Sequence, residues 1–240
     1  MSNILEIGSA TLINDDWKNV LPTFKDNQFD WVLADPPYFD DVNQPGYFRD
    51  ANRKSSVGVK TGDYGNMDDW EVPGYDYYNE VRRISKNQII WGINYFEFAG
   101  EMPGRIVWDK VNQGSSFSDI ELAMISSINS LRLIRYMWNG MMQGKSLSEG
   151  HIMQGDKKKN EKRIHVTQKP VLLYRWVLQN FIPAGSTILD THSGSLSLGI
   201  ASEDWGCKLT AIEKDTRMYN KAANRLKTHI NNLKIPYNYE

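Results

Sequence analysis

The sequence predicts an α/β protein in which a mostly parallel, doubly wound sheet is covered by helices on both faces. Two observations predict this class. Short apolar runs of strand length alternate with segments of helical periodicity along most of the 240 residues. Acidic or turn-forming residues directly follow several of these runs, as happens where parallel strands end at one edge of a sheet. Length and apolar fraction are those of a single soluble globular domain, residues 1–240.

The first half of the predicted sheet comes from three apolar runs and one helix. FDWVLA, residues 29–34, is a continuous apolar run typical of a buried strand. It is followed by YYNEVRRIS, residues 77–85, whose apolar residues recur at helical spacing. NQIIWGINYF, residues 87–96, and RIVWDK, residues 105–110, are then predicted to be strands.

Two further runs, IELAMISSI at residues 120–128 and LRLIRYMW at residues 131–138, are separated by only a short polar break. We expect them to pair as an antiparallel hairpin. Periodicity is then lost. Residues 136–163 hold several glycines, many polar residues and a basic run, which predicts an irregular surface insertion within the domain.

Regular structure is predicted again from residue 167 onward. TQKPVLLYRWVLQNF, residues 167–181, contains Pro170, which suits the first turn of a helix. Residues 184–215 have the pattern of a strand, a turn of small residues, a helix and a second strand that ends in an acid. The last predicted element is the amphipathic helix TRMYNKAANRLKTHI, residues 216–230.

The unit between residues 187 and 215 is the first part of the sequence that indicates chemistry. Asp190 ends a strand, Gly194 lies among serines in the turn, and Glu213 ends the next strand about 20 residues beyond. In doubly wound sheets this arrangement binds a ligand across the strand ends, with the second acid accepting hydrogen bonds from a ribose diol. Two alternatives remain open. The turn could only let the helix pack closely, or it could bind a nicotinamide dinucleotide, although Leu196 stands where a second turn glycine is expected.

A second indication of chemistry lies at the end of the first apolar run, where Asp35, Pro36, Pro37 and Tyr38 follow the strand directly. The two prolines fix the backbone, and the Pro36 carbonyl needs no ladder partner and can point into a cleft. That carbonyl and the Asp35 carboxylate are two acceptors suited to a planar amino group, and Tyr38 offers a flat stacking face. Holding both amino hydrogens favours a pyramidal nitrogen whose lone pair can attack an electrophile. The alternative is an ordinary strand-ending turn.

Composition excludes several classes of function. A net charge of −1 and a pI near 6.4 exclude a general polycation, so any nucleic-acid contact must come from a local patch. Cys207 is the single cysteine, which excludes an internal disulfide and a cysteine-built metal site and predicts a buried thiol. We expect no metal. The N-terminal residues lack a signal-peptide pattern and no apolar run approaches membrane-spanning length, so we expect a cytoplasmic protein without membrane contact.

Together, these motifs resemble the S-adenosylmethionine-dependent DNA amino-methyltransferases. The most specific combination is DPPY at residues 35–38 with HVTQKP at residues 165–170. The similarity extends over most of the chain and includes NQIIWGINYF, IVWDK, FSDIELA, ILDTHSGSLSLGIA and AIEKD. The catalytic motif precedes the cofactor region, which is the permuted order of the beta-type enzymes and of many phage-borne members. The resemblance implies a Rossmann-like class I methyltransferase fold, S-adenosylmethionine as cofactor and double-stranded DNA as partner.

The resemblance also implies roles for individual residues. Four would hold and stack the target base: Asp35, Pro36, Pro37 and Tyr38. Glu213 would bind the ribose hydroxyls of the cofactor, and Lys169 would face its carboxylate, where a cation and free helical amides suit an anion. His192 is expected to pack in the turn. The full set expected around the cofactor is Asp16, Thr167, Gln168, Lys169, Asp190, His192, Ser193, Gly194, Ser195 and Glu213.

The target-recognition region of the family corresponds to the insertion at residues 136–163. Its basic residues are expected to contact DNA phosphates, although a solvated loop is the other interpretation of such a run. The loop at residues 39–66 is expected to close over a flipped base. So small a recognition region implies a short target site or a homodimer. The residues expected to contact DNA are Arg49, Arg53, Lys54, Lys157, Lys158, Lys159, Lys162 and Arg163.

The activity implied is site-specific methylation of adenine at N6, as in restriction-modification systems, and three alternatives remain open. Cytosine-N4 methylation needs the same geometry, although aspartate at the first motif position is more frequent in the adenine enzymes. Methylation of a glutamine amide in a protein poses the same nitrogen chemistry, but those enzymes place the motif after the cofactor turn. The third alternative is a non-catalytic DNA-binding relative, which only Leu196 supports.

Overall fold

The structure is a computed structural model that describes residues 2–38, 71–113, 118–139, 142–165 and 167–233. The strands in this part of the chain are β1 (Asn3–Ile7), β2 (Ala10–Asn14), β3 (Phe29–Ala34), β4 (Ser85–Trp91), β5 (Arg105–Asp109), β6 (Ile120–Ile125), β7 (Leu131–Arg135), β8 (Trp138–Asn139), β9 (Met142–Gln143), β10 (Thr187–Asp190) and β11 (Lys208–Ile212). The α-helices are α1 (Trp17–Val20), α2 (Tyr75–Ile84), α3 (Val171–Phe181), α4 (Ser197–Trp205) and α5 (Thr216–Leu233).

Nine of the strands form one sheet in the order β1-β2-β11-β10-β3-β4-β6-β5-β7, and β8 pairs with β9 separately. Its central strands β2, β11, β10, β3 and β4 all run parallel. A parallel sheet is covered by helices on both faces, so its central strands carry apolar residues on both sides. The continuous apolar sequence of β3 agrees with this position. The predicted mostly parallel α/β fold is confirmed.

Alternation along β3 divides the core between the two faces of the sheet. Trp31 and Leu33 pack into a cluster with residues of α3, α4 and α5. Val32 and Ala34 point the other way, into a cluster with the α2 residues that include Tyr77. Because successive side chains on a strand alternate between faces, one six-residue run contributes to both cores. The free thiol of Cys207 is buried in the first cluster, as predicted.

The predicted hairpin of residues 120–138 is wrong. β6 and β7 do not pair, because β5 lies between them and pairs antiparallel with β6 and parallel with β7. The short polar break shows that the two strands are close in sequence. It does not show whether they are neighbours in the sheet or whether a third strand lies between them. An antiparallel hairpin is present at the opposite end of the sheet, where β1 and β2 pair with Asn3 facing Asn14 and Ile7 facing Ala10.

The topology collects the ends of several strands at one edge of the sheet. The parallel strands β3, β4, β10 and β11 all finish there. Since β6 is antiparallel to β4, it begins at this edge, and β5 ends at it. Residues at the start of β6 and just after β5 therefore lie beside the DPPY residues that follow β3.

Crossing a lipid bilayer requires a helix that is both long and predominantly apolar. Among the described residues, no helix combines these two properties.

Candidate active site

A cavity of about 350 Å³ opens at this edge of the sheet, between the residues after β3 and the turn before α4. That volume is within the range of small-molecule and cofactor sites. Its lining includes nearly every residue expected around the cofactor and all four DPPY residues. The cavity also reaches His165 of the HVTQKP segment and residues that the sequence did not single out: Asp15, Trp17, Glu71, Tyr174, Thr191, Ser197, Lys214, Asp215 and Met218.

The turn between β10 and α4 lines the cavity with residues 192–195. Gly194 has φ +48°, and a Cβ built there would meet no atom within 4 Å, so the turn leaves open space in front of it. Next to it, Ser193 is 7% exposed, and its hydroxyl has no hydrogen-bond partner within the described residues. A buried orphan hydroxyl beside open space suits a polar ligand group.

Leu196 adopts the left-handed backbone conformation that a glycine would take without strain, with φ 59° and ψ 34°. For a side-chain-bearing residue this conformation costs roughly 1–2 kcal/mol. Its side chain is fully buried in the core and contacts the position where a Gly199 side chain would begin. Burial of a leucine contributes about 1.5–3 kcal/mol, which offsets the strain. Leucine at this position therefore preserves the shape of the turn.

Two acids hold the turn in place. The Gly194 N–H donates to Glu213 Oε2 at 2.8 Å, and Glu213 lines the cavity. Burial raises the pKa of Glu213 to about 7, against the lowering effect of backbone hydrogen bonds. Asp190 accepts from the His192 N–H at 3.1 Å, and burial raises its pKa to about 8. Asp190 is not part of the cavity lining, so its role here is to stabilise the turn through this hydrogen bond.

An aromatic cluster forms one wall of the cavity. Trp17 and His192 line it, and both rings contact Tyr77, with centroid distances of 5.1 Å and 5.7 Å. Burial lowers the pKa of His192 to about 3, so the imidazole is neutral at physiological pH. The structure thus places His192 in aromatic packing. Asp16 caps α1 by accepting from the Lys18 N–H and also lines the cavity.

Tyr38 lies against the end of β4. Its ring stacks on Tyr95, with centroids 4.8 Å apart and planes 8° from parallel. Gly92 makes this approach possible, because a Cβ there would lie 2.5 Å from Tyr38 Cδ1. Gly92 also has φ +70°, a conformation that other residues rarely adopt. The strand predicted over residues 87–96 ends at Trp91, so Tyr95 lies in the turn after it, and its sequence pattern gave no indication of a role at the site.

Lys169 is paired differently from the expectation that it faces a cofactor carboxylate. Its ammonium donates to Asp35 Oδ1 at 2.5 Å and lies 3.1 Å from Glu121 Oε2. Lys110 completes the group by donating to Glu121 Oε1 at 2.9 Å. Glu121 is the second residue of β6, and nothing local in the sequence relates it to the DPPY motif.

The other residues of the HVTQKP segment divide between the cavity and the insertion. Thr167 hydrogen-bonds His165, whose pKa burial lowers to about 4. The Gln168 side chain also lines the cavity, but its amide donates to Glu161 Oε1 at 2.7 Å. Glu161 in turn accepts from Arg225 and from the first N–H of α3, at Val171. Gln168 and Glu161 thus hold the insertion onto the core.

The basic residues of the insertion are not equivalent. Lys157, Lys158, Lys159 and Lys162 are exposed, and the first three form a 3₁₀ turn. Arg163 is half-buried, and its guanidinium lies 4.1 Å from the centroid of the Trp138 ring. It therefore anchors the base of the insertion through a cation–π contact. Arg49, Arg53 and Lys54, which we also expect to contact DNA, lie outside the described residues.

The comparison with known protein families agrees with this geometry. Residues 107–224, just under half of the chain, match the profile of the N6 and N4 DNA methylase family. Among curated proteins, the chain is 25% identical to the type II methyltransferase M2.DpnII of Streptococcus pneumoniae, over 90% of this chain and 88% of that protein. It is 24% identical to M2.LlaDCHI of Lactococcus lactis subsp. cremoris, over 91% and 89% of the two chains.

Solved structures share the fold at low sequence identity. The M1.HpyAVI complex with S-adenosylmethionine aligns with a TM-score of 0.51 and 15% identity, over 90% of this chain and 99% of that one. The cytosine-N4-specific PvuII DNA methyltransferase aligns with a TM-score of 0.51 and 12% identity, over 99% and 92%. The chain shares its fold with these solved methyltransferases, and its residues 107–224 are similar to the DNA methylase family.

Proposed function

We propose that this chain transfers a methyl group from S-adenosylmethionine to the N6 amino group of adenine in double-stranded DNA. The observation that carries the proposal is the position of Asp35 and Tyr38, which line the same cavity as Glu213 and the Gly194 turn. A polar amino-binding motif and a nucleoside-binding turn thus meet in one cleft. The match to the DNA methylase family supports DNA as the substrate.

The residues around the turn fit the cofactor. Glu213 would accept from the ribose hydroxyls, Ser193 Oγ would take a polar group, and the open space before Gly194 admits a chain close to the backbone. Trp17 and Asp16 also line the cavity and would lie beside the adenine of the cofactor. When bound, S-adenosylmethionine supplies an electrophilic methyl group on a sulfonium.

The residues after β3 act on the target amine. The lone pair of an aromatic amine is delocalised into the ring, so the nitrogen is a weak nucleophile. The Asp35 carboxylate and the Pro36 carbonyl would each accept one amino hydrogen and favour a pyramidal nitrogen, while Tyr38 would stack on the flipped base. No strong base is required, because positioning and electrostatics supply the rate enhancement.

Adenine is proposed over cytosine because the motif begins with aspartate. Cytosine-N4 methylation remains the second candidate, since PvuII methyltransferase shares the fold. Nucleoside analysis separates the two activities. Duplex DNA is treated with the protein and labelled cofactor and then digested to nucleosides. We expect the label in N6-methyl-2′-deoxyadenosine. Label found only in cytosine would assign the N4 activity, and no label in either base would contradict methylation of DNA by this chain.

Finer features follow from the same arrangement. The Asp-Pro-Pro-Tyr motif after β3 precedes the proposed cofactor-binding turn in the chain. This order supports the permuted beta-type arrangement. A phage origin stays a prediction. The small insertion supports a short target site, or two copies that share recognition of one site. A DNA substrate also supports the predicted cytoplasmic location.

The buried carboxyl of Glu213 should make cofactor binding dependent on pH. Its pKa is raised to about 7, so a growing fraction is protonated below that pH and loses an acceptor for the ribose hydroxyls. Affinity for S-adenosylmethionine should rise with pH between about 6 and 8. Calorimetric titration across this range measures it, and Glu213→Gln should bind more weakly, by about 1.5–3 kcal/mol at pH 8. A Gln variant with wild-type affinity would remove Glu213 from the site.

The exposed lysines of the insertion should contact phosphates. Replacing Lys157, Lys158 and Lys159 by alanine is expected to weaken DNA binding for all sequences alike and to flatten the salt dependence by about 0.9 per lost contact. Fluorescence anisotropy at several salt concentrations measures both. Lys145→Ala, which removes a lysine paired with Glu149 elsewhere in the insertion, is the matched control. An unchanged salt slope in the triple variant would favour the solvated-loop interpretation.

A further inference from the structure

Four charged side chains from separate segments, one of them that of Asp35, meet at one side of the cavity. The Lys169 ammonium lies between Asp35, at 2.5 Å, and Glu121, at 3.1 Å. Lys110 holds the other oxygen of Glu121 at 2.9 Å. The Lys169 side chain is 3% exposed, against 17% for Asp35 and 20% for Glu121. With all four ionised, the group has no net charge.

Aromatic rings enclose the same ammonium. Lys169 Nζ lies 5.9 Å from the centroid of the Tyr38 ring and 5.5 Å from that of Trp91. A cation held between two carboxylates and beside two aromatic rings has little freedom to turn toward another anion. The contact with Glu121 is electrostatic, because Glu121 Oε2 meets no hydrogen-bond criterion within the described residues. The direct hydrogen bond of the ammonium is therefore to Asp35.

We propose that Lys169, held in place by Glu121, is a positioning residue that keeps the Asp35 carboxylate ionised and aimed at the target amino group. The proposal rests on the proposed function and adds a role that the DPPY motif alone does not supply. A protonated Asp35 would present an O–H donor toward an amino group that is itself a donor. Methyl transfer would then lose one of its two acceptors. Lys169 prevents this without touching the base.

The electrostatics of Asp35 support this role. Burial raises the pKa of Asp35, the Lys169 ammonium opposes that rise, and the nearby Glu121 carboxylate adds to it. Glu121 keeps a pKa of about 2 in spite of its burial, because Lys169 and Lys110 stabilise its charge. The titratable groups that act on Asp35 from the elements around it are Lys169, Glu121, Lys110, Asp190, Tyr77 and Tyr174.

Replacing Lys169 by methionine tests the proposal. The single-turnover rate of DNA methylation, at saturating cofactor and DNA, should fall on the order of 100-fold at pH 7. It should then recover by roughly tenfold per pH unit as the pH is raised, because Asp35 regains its charge. The wild type should show no such alkaline recovery. Lys169→Arg, which keeps the charge, should retain the wild-type pH profile even if its rate is lower.

Lys169→Gln, which keeps a polar group but no charge, should show the same alkaline recovery and decides the outcome if Lys169→Met does not fold. Glu121→Gln should show no alkaline recovery, because the Glu121 charge raises the pKa of Asp35 and Lys169 remains beside Asp35 in this variant. Lys86→Met is the matched control, because Lys86 pairs with Asp30 at the opposite edge of the sheet. Asp190 also has a raised pKa. The pH profile of the methylation rate is therefore also measured for Asp190→Asn and for the double variant that combines Lys169→Met with Asp190→Asn. Recovery that disappears with Asp190→Asn would overturn the assignment to Asp35.

Two further measurements distinguish the competing roles. Calorimetry should give the same cofactor affinity for Lys169→Met and wild type. A loss of affinity of tenfold or more, with a normal rate at saturation, would overturn the proposal in favour of a contact with the cofactor carboxylate. Carbon-13 NMR of labelled aspartate, assigned with Asp35→Asn, should show the Asp35 titration midpoint about one pH unit or more higher in Lys169→Met. This readout needs no DNA methylation, so it remains decisive if the proposed function fails.

Discussion

Replacing Asp35 by alanine is expected to abolish nearly all methyl transfer while S-adenosylmethionine still binds. The substitution removes the charged acceptor that we propose for the target amino group, and comparable losses of one preorganised polar group lower catalytic rates by about 100–1,000-fold. The cofactor contacts that we propose for the turn before α4 come from other residues, among them Glu213 and Ser193. The measurement is tritium transfer from labelled cofactor to duplex DNA, with calorimetry of cofactor binding on the same protein.

Asp30→Ala is a suitable control for that experiment. Asp30 is on the same strand, β3, but at the opposite edge of the sheet, where it accepts from the Thr187 N–H at 2.9 Å and pairs with Lys86. Its loss should lower stability and leave methyl transfer by the folded protein unchanged. A near wild-type rate in Asp35→Ala would overturn the proposed mechanism, whereas loss of cofactor binding in the same variant would mean that the two halves of the cleft are not separable.

Local patterns predicted the elements that form the cleft and the edge at which they meet. β3, α2 and the unit from β10 to β11 were predicted because their periodicity and their turn residues are properties of short segments. In parallel strands, the position of the C-terminal residue follows from the strand itself, so the sequence pattern alone is enough to place Asp35, Gly194 and Glu213 at one edge.

The features that sequence patterns missed depend on contacts between distant segments. The spacing of β6 and β7 favoured a hairpin, but strand order is decided by which strand fills the gap, and here it is β5. The basic character of Arg163 predicted a phosphate contact and gave no sign that its guanidinium lies over Trp138. For Lys169, the local pattern indicated a cation at a helix start and no link to Glu121, which lies far away in the chain.

Replacing Tyr38 by alanine is expected to lower methyl transfer less than the loss of Asp35. A stacked base contributes roughly 1–3 kcal/mol, so the rate should fall by about 5- to 150-fold, mostly through weaker retention of the flipped base. Tyr38→Phe keeps the ring and should stay close to wild type, which separates stacking from any role of the hydroxyl. Steady-state kinetics on duplex DNA, with a 2-aminopurine probe at the target position, measures both the rate and the extrahelical base.

Gly92→Ala places a methyl group against the Tyr38 ring and gives an independent test of its role. The added Cβ would lie 2.5 Å from Tyr38 Cδ1 and would also be strained at φ +70°, so the ring must move or the loop after β4 must shift. Its rate should fall at least as far as that of Tyr38→Ala, since a displaced ring occupies space that the base needs. Combining the two substitutions should restore part of that loss, because alanine at position 38 removes the clash. A double variant no better than Gly92→Ala alone would show that Gly92 acts through the backbone and not through the stacking face.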